Sequence, residues 1–190
     1  MTAVLICSLP GFAEEESQVL LRQHHDTSCG YAVTASLLNC CYGQEVSEAS
    51  LIEAHPPETE DGRYVISFLC ISEMLCSQGV VSQGFFMALE DLPRTLEQFG
   101  PIICWDEDQQ GHFYVLLHIF QDRFSNIYVT GDPSSGIIYE DTTAFRSRWS
   151  GRAVISEGGR LDPDQQERLE AQHLAFSRLH HRFIRSGAPR

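Results

Sequence analysis

Apolar residues recur with a helical period in the first half of the chain and form short, nearly continuous runs in the second half. A period of about 3.6 residues over residues 30–42, ended by Gly43, predicts a helix that begins next to Cys29. The same reasoning predicts shorter helices over three further segments, 67–78, 92–99 and 142–149. A long amphipathic helix is predicted over residues 163–185.

The apolar runs of the second half have the length and the β-branched or aromatic content of buried strands. The run from His112 to Phe120 is predicted to pair with a returning strand over residues 126–130 after a turn at 121–123. Residues 55–62 are interpreted as a surface loop. Further strands are expected over four segments, 80–87, 102–105, 136–140 and 152–155. Because helices come first and strands last, we expect an α+β fold with an antiparallel sheet packed on the Cys29 helix.

Three segments of the chain carry the residue types of a cysteine nucleophile site. A thiol attacks a carbonyl as its thiolate, which the positive end of a helix N-terminus stabilises, and Cys29 is at such a position. His112 opens its strand and Asp132 follows the end of the next one, so a hairpin brings the two side chains together. Pro133 then turns the chain out of the sheet because it has no N–H for the ladder.

Gln23 is the fourth candidate, six residues before Cys29. Its amide and the backbone N–H of Cys29 are two donors that can bind the oxyanion of a tetrahedral intermediate. Taken singly, a cysteine at a helix start is more often structural, a strand histidine is usually a satisfied polar group, and Asp-Pro is usually a turn. The conjunction of four residue types, each on the element that its chemistry needs, favours catalysis.

These residues resemble peptidase family C39, whose papain-like members cut leader peptides after a double-glycine site. The shared pattern is Gln23, five further residues, Cys29-Gly, a small-residue helix that ends in Tyr-Gly, His-Phe-x-Val-Leu at His112, and Asp-Pro followed by Gly at Asp132. The resemblance covers residues 20–155 and implies that Cys29 is the nucleophile, His112 the base, Asp132 the orienting acid and Gln23 the oxyanion donor. Ser28 departs from the acidic residue that many transporter-linked members carry before the cysteine.

The resemblance also implies a function. It implies a papain-like cysteine endopeptidase, without a cofactor, that cuts a peptide or protein at small residues such as Gly-Gly during secretion or maturation. A stand-alone domain of this kind is similar to the C39-like domain of functional-amyloid (Fap) secretion clusters. Two alternatives stay open: a non-cleaving C39-like adaptor that binds leader peptides, in known versions of which the cysteine is replaced, and a papain-like acyltransferase with the same Cys-His-Asp set.

Charge and composition narrow the classes of partner. The 190 residues include 26 acids and 13 basic residues, all arginine, for a net charge of −13. Residues 1–162 hold 23 acids and 8 arginines (net −15), and residues 163–190 hold 3 acids and 5 arginines (net +2). The negative charge of residues 1–162 argues against nucleic acid as a partner, because phosphate binding needs a positive surface. No apolar run is long enough to span a bilayer, and neither a phosphate loop nor a zinc-ligand spacing occurs.

The seven cysteines are an odd number and contain no CxxC pair. Apart from Cys29, four of them stand in apolar contexts and are predicted to be small core residues, namely Cys40, Cys70, Cys76 and Cys104. Disulfides among them stay open, since the sequence does not exclude an oxidising compartment.

The two ends of the chain differ from its body. Residues 1–19 resemble the back half of a secretory signal, with an apolar stretch and a Pro-Gly break but no basic n-region. A signal would make the protein periplasmic or exported, whereas a buried N-terminal strand would leave it cytoplasmic. We expect a C39-like domain over residues 20–156 and a helical extension over residues 157–190. The apolar side of that extension suits packing on its own domain or docking with a secretion partner.

Overall fold

The computed structural model describes most of the chain between residues 20 and 161. The described residues are 5–6, 20–60, 63–106, 111–121, 126–161, 163–164, 166–167 and 170. They fall into two compact units that divide between Arg160 and Leu161. The described part of the first unit contains five α-helices and an antiparallel sheet, which confirms the predicted α+β class.

Four of the five helices begin and end close to the predicted positions, and the other, over Glu48–Ala54, is not among the helices that the periodicity predicts. The five are α1 (Cys29–Tyr42), α2 (Glu48–Ala54), α3 (Phe68–Ser77), α4 (Leu92–Phe99), which a 3₁₀ turn precedes, and α5 (Thr142–Arg148). Local side chains cap three of them: Ser47, Ser67 and Asp141 each accept the backbone N–H three residues further on. Helix α1 ends at Gly43, whose φ of 62° lies in the left-handed region that glycine adopts without strain.

Seven of the described strands form one antiparallel sheet in the order β1-β8-β7-β6-β5-β9-β4, and β2 and β3 form a separate hairpin. The bounds are β1 (Leu5–Ile6), β2 (Glu58–Glu60), β3 (Arg63–Val65), β4 (Ser82–Phe86), β5 (Ile102–Asp106), β6 (His112–Gln121), β7 (Asn126–Asp132), β8 (Gly136–Asp141) and β9 (Arg152–Ser156). The central strands β5 to β8 are buried along most of their length, as their nearly continuous apolar sequences predict.

Helix α1 lies across the sheet and packs mainly against β6. Eleven of its fourteen residues are buried, so its surroundings are apolar on nearly all sides. The two buried aliphatic hydroxyls of the helix are satisfied within it, because Thr34 donates to the carbonyl of Gly30 and Ser36 to that of Ala32, each at 2.7 Å. The helix is therefore a core element of the fold, and its first residue is held in place by the packing of the rest.

The interpretation of residues 55–62 as a surface loop is wrong at 58–60, where the exposed chain forms strand β2. Strands β2 and β3 pair antiparallel there, with Thr59 opposite Tyr64 and Glu60 opposite Arg63. The side chains along β2 are exposed, so alternation between apolar and polar residues is absent and the strand gives no periodic signal. The dipeptide Asp61-Gly62 between the two strands is the sequence signal for a tight hairpin that identifies it.

The prediction that four further cysteines are core residues holds for Cys40 and Cys104, which are buried. It is wrong for Cys70, which is half-buried, and for Cys76, which is exposed. Helix α3 turns Ile71, Met74 and Leu75 inward, three and four residues apart, and the residue after Leu75 is rotated by about 100° toward solvent. All six cysteines in the described ranges are free thiols.

Several predictions fall partly or wholly outside the described residues. They concern the turn at 121–123, the signal-like stretch at 1–19 and the helix at 163–185. In these segments, Leu5 and Ile6 pair with Tyr139 and Ile138 of β8, and residues 163–164, 166–167 and 170 are helical. Within the part of the chain that is described, no helix has the length and apolar character of a membrane span.

A buried ion pair links α5 to the sheet. The guanidinium of Arg148 donates to the carboxylate of Glu140 through Nε at 3.0 Å and through Nη2, and Nη2 also donates to the Thr130 hydroxyl at 2.9 Å. It stacks 3.9 Å above the ring of Tyr114. Both charged side chains are nearly inaccessible, with 12% of Arg148 and 5% of Glu140 exposed. Each charge therefore depends on the other for its solvation.

We predict that Arg148→Met lowers the free energy of unfolding by about 3–5 kcal/mol, because it leaves the Glu140 carboxylate buried without its partner. Urea denaturation followed by circular dichroism measures the loss. The matched control is Arg146→Met on the exposed side of the same helix, which should change the free energy by less than about 0.5 kcal/mol. Equal losses in the two variants would contradict the prediction.

Candidate active site

The side chain of Cys29 stands at the N-terminus of α1, and 7% of the residue is exposed. The chain enters the helix through a tight turn, in which the Ser28 hydroxyl donates to the His25 carbonyl at 2.8 Å and accepts the His25 N–H at 3.2 Å. The N–H groups of Tyr31 and Ala32 donate to the Ser28 carbonyl and begin the helix. The earlier N–H groups have no partner within the helix, so they present positive partial charge beside the sulfur.

His112 and Asp132 meet where β6 begins and β7 ends. The antiparallel register, with Val115 opposite Gly131, brings these two strand ends to the same edge of the fold. The imidazole Nε2 lies 2.9 Å from Oδ2 of Asp132, and both side chains are largely buried, 12% and 5% exposed. β7 extends two residues beyond its predicted end, so Asp132 is the last residue of the strand, and its carbonyl opens the following turn by accepting the Ser135 N–H.

The second carboxylate oxygen of Asp132 is held by the turn that follows. Its Oδ1 accepts the Ser134 N–H at 2.8 Å, the Ser134 hydroxyl at 2.6 Å and the Ser135 N–H at 2.9 Å. Pro133 ends the strand because it has no N–H to continue the ladder. The carboxylate is thereby fixed in orientation with one oxygen directed at His112, which in turn fixes the imidazole.

The hydrogen bonds of this pair shift both pKa values. Burial lowers the pKa of His112, but hydrogen bonds to Asp132 and Cys29 and the charges of both partners outweigh it and raise the pKa to about 9. Burial likewise raises the pKa of Asp132, but the hydrogen bonds from His112 and Ser134 and the charge of the imidazolium hold it well below its usual range. The ionised pair is therefore the form that the fold favours at neutral pH.

The side chain of Cys29 lies close enough to the His112 ring to help raise its pKa. Since Asp132 occupies Nε2, the nitrogen that remains for the sulfur is Nδ1. The structure thus brings Cys29, His112 and Asp132 together in that order. A thiol beside a protonated imidazole and a helix N-terminus has the surroundings of an activated nucleophile.

Gln23 lies in the segment that leads to this series. Its backbone N–H donates to the carbonyl of Pro133 at 3.0 Å, which fastens it beside the turn that holds Asp132. Its side-chain Nε2 donates to the carbonyl of His25 at 3.0 Å, and its Oε1 is buried without a hydrogen-bond partner among the described residues. One N–H of the amide is therefore engaged within the turn, and the amide group carries a second.

An open cleft of about 1190 Å³ leads to Cys29 and His112. Its volume exceeds the usual range of pockets for small molecules. One part of the cleft is lined by aromatic and aliphatic side chains, which include Ile66, Trp105 and Phe113. The other part is lined by His24, His25 and Asp26 and by residues of the β2–β3 hairpin, which include Tyr64. A cleft of this size and mixed polarity suits a segment of polypeptide.

Sequence reasoning missed three residues that shape this cleft, Tyr64, Trp105 and Gly111. Tyr64 belongs to β3, a strand that is not predicted from the sequence. Gly111 has a φ of 84°, and a Cβ added there would lie 2.4 Å from the indole of Trp105, so the ring packs directly on the backbone that precedes His112. The signal for this contact was a glycine immediately before the strand histidine, but its partner depends on the pairing of β5 with β6.

No group of three or more His, Cys, Asp or Glu side chains among the described residues is arranged to hold a metal ion. The site consists of protein groups that are suited to nucleophilic and acid–base chemistry.

The sequence and the fold were compared with known proteins. The model of the peptidase C39 family matches residues 17–159, which include all four candidate site residues. No protein of curated function matches the sequence.

Three solved structures illustrate the similarity of the fold. The peptidase domain of Streptococcus ComA, a bi-functional ABC transporter involved in quorum sensing, is 24% identical over 74% of this chain and 98% of that one, with a TM-score of 0.61. A double glycine motif protease from an AMS/PCAT transporter, in complex with its leader peptide, is 19% identical over 73% and 90%, with a TM-score of 0.55. A C39-like peptidase from Bacillus anthracis is 15% identical over 74% and 94%, with a TM-score of 0.54. These similarities show a papain-like fold, as predicted.

We predict that His112 titrates near pH 9, well above the ordinary histidine value of 6.5. The folded state holds this proton more tightly than the unfolded chain does. Its contribution to stability is therefore complete below about pH 6.5 and is lost as the pH rises through about 9. NMR titration of the ring protons measures the midpoint.

Asp132→Asn tests the cause of this shift, because it removes the carboxylate charge while it keeps the shape of the side chain. The midpoint of His112 should then fall toward 6.5. Asp91→Asn, at an exposed position next to α4, is the control and should leave the midpoint unchanged. A wild-type midpoint at or below 6.5 would show that burial outweighs the charges at this site.

Proposed function

The chain belongs to the peptidase C39 family, and on that premise we propose that it is a cysteine endopeptidase. The observation that carries the proposal is the series of Cys29, His112 and Asp132 beside the large cleft. A nucleophile, a base in contact with it and a carboxylate that orients the base are the three groups that acyl transfer through a cysteine needs.

In the proposed reaction, the Cys29 thiolate adds to the carbonyl carbon of the scissile peptide bond and forms a tetrahedral intermediate. The imidazolium of His112 then gives its proton to the leaving nitrogen, and the C–N bond breaks to leave a thioester on Cys29. A water molecule next loses a proton to the neutral imidazole and attacks the thioester, which releases the acid and restores the thiolate. Asp132 keeps the ring oriented and stabilises its protonated form throughout.

The negative charge that develops on the carbonyl oxygen needs donors that are in place before the reaction. The backbone N–H of Cys29, at the start of α1, is one such donor. We assign the second role to the amide of Gln23, which is held beside the turn of Asp132 and Pro133 by its own backbone. Its remaining N–H is the group that would donate to the oxyanion.

We infer that the substrate is a peptide or protein with small residues at the cut, as in a double-glycine site, and that the reaction serves secretion or maturation. The walls near Cys29 support this preference. A Cβ on Gly30 would lie 2.7 Å from the side chain of Ile66, and the indole of Trp105 packs on Gly111, so apolar side chains lie close to the backbone next to the nucleophile and its base. We expect these side chains to disfavour large residues at the scissile bond relative to glycine.

The test of the proposed function is cleavage of a peptide library that carries Gly-Gly, Gly-Ala and Ala-Gly sites, read by mass spectrometry. Wild-type protein should cut after small residues, and Cys29→Ala should not, because it lacks the nucleophile. Cys76→Ala, which alters an exposed thiol on α3, is the control and should cut normally. Binding without cleavage would favour a leader-binding adaptor, and transfer to an added amine would favour an acyltransferase.

We predict that Gln23→Ala lowers kcat on a cleaved peptide by about 100-fold to 1000-fold and leaves KM within about twofold, because one oxyanion donor is lost in the transition state only. Steady-state kinetics with the best library peptide measures the change. Gln83→Ala, on the exposed edge strand β4, is the control for loss of an amide and should leave kcat unchanged. A rise in KM at constant kcat would assign Gln23 to ground-state substrate binding.

A further inference from the structure

The carboxylate of Glu48 is buried far along the chain from the proposed catalytic residues but contacts the segment that contains one of them. Glu48 opens α2 and is 3% exposed. Its Oε2 accepts the backbone N–H of His24 at 3.0 Å and lies 2.5 Å from the ring Nδ1 of His24. Its Oε1 also accepts the His24 N–H, at 3.3 Å. In the described ranges of the chain, all hydrogen bonds of this carboxylate go to the residue that follows Gln23.

We propose that Glu48 is a positioning residue, which holds the segment of Gln23 and His24 so that the Gln23 amide is in place for the oxyanion. The proposal rests on the proposed function, since it gives Gln23 the role of an oxyanion donor. Glu48 itself touches neither substrate nor the reacting atoms in this scheme. It acts through the backbone of His24.

The burial of Glu48 separates this role from ordinary helix stabilisation. An acidic residue in the first turn stabilises a helix through the dipole while it stays in solvent. A buried carboxylate loses its hydration, and this cost is offset only by close, well-directed hydrogen bonds. The donors that offset it here are on His24, whose side chain is 79% exposed. The buried Glu48 carboxylate therefore serves to hold the backbone of a residue whose side chain is exposed.

The segment is fastened on both sides of this contact. Before it, the Leu21 N–H donates to the Ser36 hydroxyl of α1 at 2.8 Å, and the Gln23 N–H donates to the Pro133 carbonyl at 3.0 Å. After it, the turn from His25 to Ser28 leads into α1. The hydrogen bond from the His24 N–H to Glu48 lies between these two sets of contacts. The backbone on both sides of the Gln23 side chain is therefore fixed with respect to Cys29.

A donor that must be in place before the oxyanion forms loses its effect when it moves by about 1 Å. Loosening the His24 backbone should therefore reduce stabilisation of the transition state. It should leave Cys29 activation unchanged, because the hydrogen bonds of Glu48 to described residues go to His24 and not to His112 or the start of α1. Turnover and thiol reactivity thus separate the proposed role from a general loss of structure.

The experiment compares wild type with Glu48→Ala, Glu48→Asp and Glu48→Gln, and with Glu53→Ala at an exposed position of the same helix as the control. We expect kcat to fall about 10-fold to 100-fold in Glu48→Ala, with KM and the rate of Cys29 alkylation by iodoacetamide within about twofold. Site-resolved mass spectrometry measures the alkylation. Glu48→Asp keeps the charge but shortens the reach and should show a similar loss. Glu48→Gln keeps an oxygen acceptor for the His24 N–H and should recover kcat to within about threefold.

The amide hydrogen exchange of His24, measured by NMR, tests whether Glu48 holds the His24 backbone and needs no substrate. It should accelerate at least about 10-fold in Glu48→Ala and Glu48→Asp and change little in Glu48→Gln and Glu53→Ala. Unchanged exchange or unchanged kcat in the Ala and Asp variants would overturn the proposal. So would a parallel loss of kcat, alkylation rate and unfolding free energy, which indicates a merely structural role.

Failure of the proposed function has a different signature. A wild-type protein that cuts none of the library peptides, with Gln23→Ala and Cys29→Ala indistinguishable from it, would remove the peptidase proposal, and the catalytic role of Glu48 would be rejected with it. The exchange measurement would then still show whether Glu48 fastens the His24 backbone. Active wild type with an unaltered Glu48→Ala would reject the role of Glu48 alone.

Discussion

The packing of helix α1 against strand β6 positions the nucleophile and its proposed base. Eleven of the fourteen residues of α1 are buried, and β6 is buried along nearly its whole length. This apolar contact places the first residue of the helix beside the first residue of the strand, Cys29 beside His112. A shift of the helix by one residue would move the sulfur by about 1.5 Å and rotate it by about 100°, which would break the contact with the imidazole. The chemistry of the site is thus set by the packing of the core.

Buried carboxylates organise three parts of this acidic protein, and each has partners that offset its lost hydration. Asp132 is held by the turn behind it and faces His112. Glu140 pairs with Arg148 and fastens α5 to the sheet. Glu48 pairs with His24 and fastens the segment before the nucleophile to α2. Because a buried charge that loses its partner is strongly destabilising, these contacts add to the apolar packing in fixing relative positions.

The cleft joins elements that are far apart in sequence. Cys29 comes from a helix, Tyr64 from the small hairpin, Trp105 from β5 and His112 from β6. Gly111 lets the Trp105 ring pack against the backbone before His112, so the wall of the cleft and the orientation of the proposed base share one contact. Substitutions in the cleft that aim at specificity therefore act on the position of the base as well.

Four of the five helices, the central strands and the order of the four candidate site residues could be predicted from the sequence, because these depend on local periodicity, caps and breakers. The position of Cys29 at a helix start, and those of His112 and Asp132 at two strand ends, follow from residues 30–42 and from the paired apolar runs. The contacts between elements that are distant in sequence could not be predicted in this way. The hairpin at Tyr64 has no periodic burial, Cys76 faces solvent through the rotation of α3, and Glu48 meets His24 from 24 residues away. Such contacts depend on how elements pack against each other in space, and local sequence patterns carry no information on the packing of elements that are far apart in the chain.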